Sequence, residues 1–289
     1  MKSVCFSIII VFLLINQASF SQINFPRVSS GCEIEQIVGL SEFKVTYSRP
    51  GVRGRKIVGD LMPYGRIWRV GANESTKFTI SDDFKVNGKK LPSGTYALYA
   101  FPEKKEWAIV FHNNLTHWGD GRNNYKPEED ALRFVVKPQK TKEFHETFTI
   151  EFDEITHNSA KMLWLWENTK ISFIIEVDTH KKVMAEINEQ IAENPTANTY
   201  YQAARYLQEQ GKEHEKAQNW LIKAQELAGE KYYINRVRSL VEAALGNYKE
   251  ALTFAEKSKE IATKEGKDEF VKLNDKNIKK WSRMLSKKD

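Results

Sequence analysis

The chain has 289 residues, enough for two domains of ordinary size. Its 44 lysines and arginines stand against 38 aspartates and glutamates, and many of both fall in the C-terminal third. The formal charge of +6 therefore describes a solvated helical surface rather than a nucleic-acid footprint, and no nucleic-acid partner is expected.

The N-terminus carries Lys2, an apolar run over 4–15, and a polar tail in which Ser19 and Ser21 occupy the small-residue positions ahead of Gln22. That pattern reads as a secretory signal peptide over 1–21. The apolar run is about 12 residues, short of the roughly 20 that span a bilayer as a helix. No later segment is long and uncharged enough to do so, and no transmembrane segment is expected. The mature chain is expected to be exported, to the periplasm or to the cell surface or beyond. Cys5 lies within the signal, which leaves Cys32 alone in the mature chain with no partner for an internal disulfide. Residues 22–32 form an N-terminal segment. Ser29-Ser30-Gly31-Cys32 can be read as a lipid-attachment site, although Pro26 and Arg27 separate it from the apolar run. The other reading is a small buried or half-buried thiol.

From Glu33 to Asp178 the pattern is short alternating runs bounded by Gly, Pro, Asn and Asp, which predicts strands. Residues 47–76, YSRPGVRGRKIVGDLMPYGRIWRVGANEST, stand apart within it. They set Arg49, Arg53, Arg55, a Trp68-Arg69 pair and an Asn73-Glu74 pair among turn-forming glycines and prolines, chemistry that a plain core does not need. Phe84-Lys85-Val86 before Asn87-Gly88 predicts a hairpin, because Asn-Gly supplies the positive φ angles of a tight type I′ turn. Pro92-Ser93-Gly94 turns the chain into a strand over 95–101, and Glu103-Lys104-Lys105 turns it into another over 107–112. A long loop follows, from Asn113 to about Glu129, where Trp118 is a candidate exposed contact.

Further on, Phe148, Ile150 and Phe152 share one face of a strand, and Met162, Trp164 and Trp166 share a face of the next. Glu167-Asn168-Thr169-Lys170 is expected to turn the chain into a last strand over 171–177. About eight to ten strands without a helical period between them predict an antiparallel β-sandwich or jelly roll over 33–178 rather than a βαβ fold.

Residues 47–76, together with Leu91-Pro92-Ser93-Gly94-Thr95-Tyr96 and on to about Asn114, resemble the signature of domain of unknown function 2911, a family of secreted bacterial proteins. The resemblance covers about 33–178. It implies an exported β domain and brings no activity with it.

Near Thr179 the composition shifts to Ala, Gln, Glu, Lys and Leu, which predicts an all-α domain over 181–289, with Pro195 after Asn194 marking a helix end. Lys216-Ala217-Gln218-Asn219-Trp220-Leu221 aligns with Glu250-Ala251-Leu252-Thr253-Phe254-Ala255, so Ala217 and Ala251 stand 34 residues apart, the tetratricopeptide period. Gly246 to Ala251 is similar to that repeat's inter-helix turn and small-residue packing position. The resemblance covers roughly 196–264 and implies a concave face suited to a protein partner. Helices over about 181–193 and 267–286 are expected to act as caps or as contacts to the β domain.

Arg49, Arg53 and Arg55 surround Pro50-Gly51 and Gly54, a loop that can aim guanidiniums and backbone N–H groups at one carboxylate, sulfate or phosphate. The competing reading has them bridge strand ends through carboxylates such as Asp60 or Glu74, or face water. Gly71 and Ala72 leave room for close approach. If Arg69 and Glu74 project into one concavity, with Asn73 beside them and Trp68 or Tyr64 as a stacking floor, the site suits a sugar, a peptide terminus or an amino acid. Equally, Arg69, Asn73 and Glu74 could form a structural clasp. His112 and His117, with Asp120 beyond, lack the spacing of a helical zinc motif, so neither a metal nor a cofactor is expected.

Three functions remain open. The first is a non-catalytic exported module whose β domain binds a polar or anionic ligand and whose helical repeat binds a protein. The second is a secreted hydrolase of carbohydrate or cell-envelope material. It would use Glu74 as acid/base, Arg69 and Asn73 as transition-state donors and His112 as a second titrating group. In the third, the β domain is architectural and the repeat does all the recognition.

Overall fold

The computed structural model describes residues 25–286 apart from 118, 120 and 121. The signal peptide read over 1–21 lies outside the described residues, as do Trp118 and Asp120. The chain divides into two units, one ending at Glu176 and one beginning at Val177.

The first unit is an antiparallel β-sandwich. Its strands are β1 (Ser30–Val38), β2 (Ser41–Arg49), β3 (Lys77–Ile80), β4 (Phe84–Val86), β5 (Lys89–Leu91), β6 (Gly94–Pro102), β7 (Trp107–His112), β8 (Asp130–Val136), β9 (Gln139–Asp153) and β10 (Ser159–Val177). One sheet runs β1-β2-β3-β6-β7-β8 and the other β5-β4-β10-β9. Alternation sets the inward faces: on β2, Phe43, Val45 and Tyr47 are buried while Glu42 and Thr46 are exposed. The two inner faces meet through aromatic pairs. Phe43 of β2 lies 5.7 Å from Phe152 of β9, and Phe111 of β7 lies 6.2 Å from Phe173 of β10.

The hairpin at Asn87-Gly88 forms as its residues dictate, with φ of 46° and 79° between β4 and β5. The turn expected at 167–170 does not form. β10 continues through it, paired with β9 on both sides, and absorbs the irregularity in register shifts around Glu167, whose φ is 54°. A bulge lets a strand carry polar residues without leaving its sheet.

The second unit holds α1 (Thr179–Glu193), α2 (Ala197–Gln210), α3 (His214–Ala228), α4 (Tyr232–Ala244), α5 (Tyr248–Lys264) and α6 (Asp268–Leu285). The Asp178 carboxylate accepts from the Lys181 backbone N–H at 3.0 Å and starts α1, an N-cap that fixes where strand grammar ends. Gly211 closes α2 at φ 65°. Successive helices pack on one another, and α2 also meets α4 as α4 meets α6. Small residues let them approach: Ala204, Ala217 and Ala224 are fully buried with Leu207, Leu221 and Val241, and Ala251 and Ala255 pack against Trp281.

Candidate functional site

After β2 the chain leaves the sheet for residues 50–76, which are stitched to both sheets by backbone bonds. Phe148 N–H donates to Pro50 O at 2.9 Å and Val52 N–H to Glu146 O at 2.7 Å, which fixes the start of the segment on β9. Trp68 and Ala100 exchange two bonds of 2.8 Å, which fixes its later part on β6. The tight path needs glycine at position 71. Its φ is 148°, and a Cβ there would stand 2.8 Å from Ser48 O.

This segment surrounds a cavity of about 260 Å³. Arg53, Arg55 and Arg69 line it on the polar side, and Met62, Trp68 and Trp166 on the apolar side. The Arg53 guanidinium donates to Val28 O at 2.7 Å. That of Arg55 donates to Val52 O at 3.0 Å and to Gly51 O at 2.7 Å. Neutral carbonyls thus hold both side chains in place without cancelling their charge. Among the described residues neither Arg53 nor Arg55 forms an ion pair, so the expected alternative of bridges to Asp60 or Glu74 does not hold for them. A guanidinium has five N–H donors, and most of those on Arg53 and Arg55 stay available.

The other expected members of the site are placed elsewhere. Arg49 donates to Phe148 O at 3.0 Å and to Thr149 Oγ1 at 2.7 Å, tying β2 to β9 outside the cavity lining. Trp68 is no exposed stacking floor. It is 8% exposed, stacks on Trp166 at 5.9 Å and 19°, and meets Phe148 edge-on at 5.1 Å. Its indole N–H donates to Gly71 O at 3.2 Å, so only one side of a core pillar reaches the cavity. Tyr64 is 40% exposed and packs over Gly59 beside Lys104, because 57–62 closes as a separate turn through Met62 N–H to Ile57 O at 2.9 Å.

Asn73, at φ 60°, donates to Ser48 Oγ at 3.0 Å and to Ser29 O at 3.3 Å, the structural clasp that was one of its two expected roles. Glu74 is exposed and lies outside the cavity lining, beside Lys77. The arrangement needed for the hydrolase, with Glu74, Asn73, Arg69 and His112 around one concavity, is not formed there. Of those four only Arg69 lines the cavity.

His112 belongs to a different cluster, at the end of β7. It is fully buried, its ring stacks on Tyr125 at 4.9 Å, and its Nδ1 lies 3.0 Å from Asp130 Oδ1. Asp130 also accepts from Tyr125 Oη at 2.6 Å and from Arg133 Nε at 3.0 Å. Burial and this carboxylate push the Tyr125 phenol well above its ordinary value. His117 and Glu129 stand beside His112, where the sequence offered Asp120. The chain brings these groups together from a strand end, a loop and the 3-10 turn Pro127–Glu129, not through helical spacing. Burial, and then His112, hold His117 below the usual imidazole range. The signal that could have found Glu129 is a carboxylate at the far end of the loop that β7 opens.

The chain belongs to the family described as protein of unknown function (DUF2911), whose model matches residues 29–175. A search of the curated proteins and one of the solved structures found no match.

Proposed function

We propose that the protein is an exported, non-catalytic binding protein. Its β domain takes a small anion, carrying a carboxylate, sulfate or phosphate group, in the arginine-lined cavity. Its helical domain is a tetratricopeptide-like repeat that binds a protein partner. The observation that carries the first half is that Arg53 and Arg55 face one cavity with Arg69 while their guanidiniums donate only to backbone carbonyls, the Glu146 carboxylate being taken up by the Arg53 backbone N–H at 2.8 Å. Guanidiniums fixed by neutral acceptors keep their charge for a ligand, and the planar fork suits an oxyanion. The wall of Trp68, Trp166 and Met62 gives the rest of the molecule an apolar surface. Support for the second half comes from α3 and α5, which begin at His214 and Tyr248 and carry Ala217 and Ala251 at matching depth. The reading of export rests on the pattern over 1–21.

Titration calorimetry of the chain against sulfate, phosphate and small dicarboxylates is expected to give one site per chain. Arg55→Ala or Arg53→Ala should weaken it about tenfold or more, the size of one lost charged hydrogen bond. Absence of binding across the panel, or binding that both variants leave unchanged, would sink this reading. Cross-linking of the chain in the exported fraction of its source cells is expected to trap a partner through α2–α6. Trapping only through the β domain would overturn the second half.

A further inference from the structure

We infer that His112, His117 and Glu129 form a binding site for a divalent transition-metal ion of the zinc class. The site shares no residue with the arginine cavity and does not depend on the function proposed above.

The argument starts at His112, whose side chain is wholly buried. Its Nδ1 faces Asp130, which already accepts from Tyr125 and Arg133 and so receives a third N–H or O–H there. Asp130 takes the proton on Nδ1, which leaves Nε2 as the nitrogen placed to ligate. Among the described residues Nε2 has no hydrogen-bond partner. What it faces is Glu129 Oε2, 3.4 Å away, another acceptor. A wholly buried ring nitrogen without a hydrogen bond costs stability, and a metal ion held between it and the half-buried Glu129 carboxylate would satisfy both.

The spacing suits such an ion. Zinc takes imidazole nitrogen and carboxylate oxygen at about 2.0–2.2 Å, which in a tetrahedron sets donor atoms roughly 3.3–3.5 Å apart. His112 and Glu129 already stand at that separation. His117 offers the third donor, all three lying within 4.8 Å of one another, and its Nδ1 stands 3.5 Å from Tyr99 Oη, which leaves Nε2 for the ion.

The supporting residues fit as well. A ligating histidine characteristically gives its other N–H to a carboxylate, the part Asp130 plays, with Tyr125 and Arg133 holding Asp130 in turn. Asn114 Nδ2 donates to Glu129 Oε2 at 3.1 Å and orients that carboxylate. Two nitrogens and one oxygen select zinc-class ions over magnesium or calcium, which take oxygen throughout. Three protein ligands leave a fourth position for water or for an atom of a bound molecule.

The test is titration of the intact chain with Zn2+ by calorimetry, alongside Co2+ by visible absorption. One equivalent of Zn2+ per chain and the intense Co2+ bands of a tetrahedral site are expected. Glu129→Gln, at a half-buried position, and His117→Gln, at a buried one, keep side-chain size, and each should weaken Zn2+ binding tenfold or more while the circular dichroism stays unchanged. Asp130→Asn, at a positioning residue, should weaken it by about 10- to 100-fold through loss of the fixed tautomer. No stoichiometric Zn2+ binding, or Zn2+ affinity that neither Glu129→Gln nor His117→Gln alters, overturns the inference.

Discussion

Two irregular segments of the sandwich, 50–76 between β2 and β3 and 113–129 between β7 and β8, solve the same problem with opposite charge. In the first, the donors of Arg53 and Arg55 rest on backbone carbonyls, so positive charge is left over at the cavity. At the ends of the second, Asp130 gathers the donors of His112, Tyr125 and Arg133, and His112 Nε2 is left facing the Glu129 carboxylate. The first leaves guanidinium donors at a cavity, and the second sets His112 Nε2 3.4 Å from Glu129 Oε2. The difference follows from what fixes the side chains. A carbonyl holds a guanidinium without neutralising it, whereas a carboxylate that collects several donors turns an imidazole lone pair outward.

The largest expected effect separates core from site at the first segment. Trp68 packs against Trp107, Phe148, Trp164 and Trp166, so Trp68→Ala should lower stability by about 3–5 kcal/mol in urea denaturation. A loss under about 1 kcal/mol with a large fall in anion affinity would instead return Trp68 to the role of an exposed floor. Gly71→Ala comes next. The added Cβ meets a backbone oxygen that cannot swing away, at a φ that side chains rarely adopt, and about 3 kcal/mol should be lost. If the variant matches the parent in stability, the close approach to Ser48 is not what holds this segment down.

The fold was legible because its signals are local. Alternation on β2 and β9, Asn87-Gly88 between β4 and β5, and the switch at Asp178 from strand grammar to a capped helix all follow from neighbouring residues. The turn expected at 167–170 failed because polar composition reads alike for a turn and for a bulge, and only pairing with β9 tells them apart. In the candidate site, the spacing of the arginines singled out a segment that lines a cavity, yet it could not say that Arg49 points to Thr149 while Arg53 and Arg55 reach the cavity. Three arginines within seven positions look equivalent until the strand end gives each a direction. The histidine cluster was hidden for the opposite reason, because its third donor enters 17 residues after His112, across a loop whose path composition does not fix.

Arg49 sharpens the division between holding and binding arginines. Its guanidinium spans from β2 to Phe148 O and Thr149 Oγ1, so Arg49→Ala should cost about 1.5 kcal/mol of stability, the range of a lost charged hydrogen bond. Anion affinity measured by calorimetry should stay within about twofold of the parent, since the side chain lies outside the lining. A tenfold loss of affinity with stability intact would make all three arginines one binding unit and erase the distinction.

The smallest effect is expected at Glu74, which the cavity leaves out. Glu74→Gln should not alter anion affinity, and its change in stability should fall within about 0.5 kcal/mol, as for an exposed charge. What change there is should act through Lys77. Burial holds the Lys77 amine below its ordinary value of 10.5, and the Glu74 charge partly offsets that burial. A lysine whose pKa is depressed in the folded state costs stability while it is charged, and that cost fades as pH rises from the folded value toward the ordinary one. Removing the Glu74 charge deepens the cost, so the variant should be slightly the less stable at neutral pH, and the gap should close as pH climbs toward 10.5. A gap that persists unchanged at pH values where Lys77 is neutral would show that Glu74 acts on something other than this amine, and would reopen its place at the cavity.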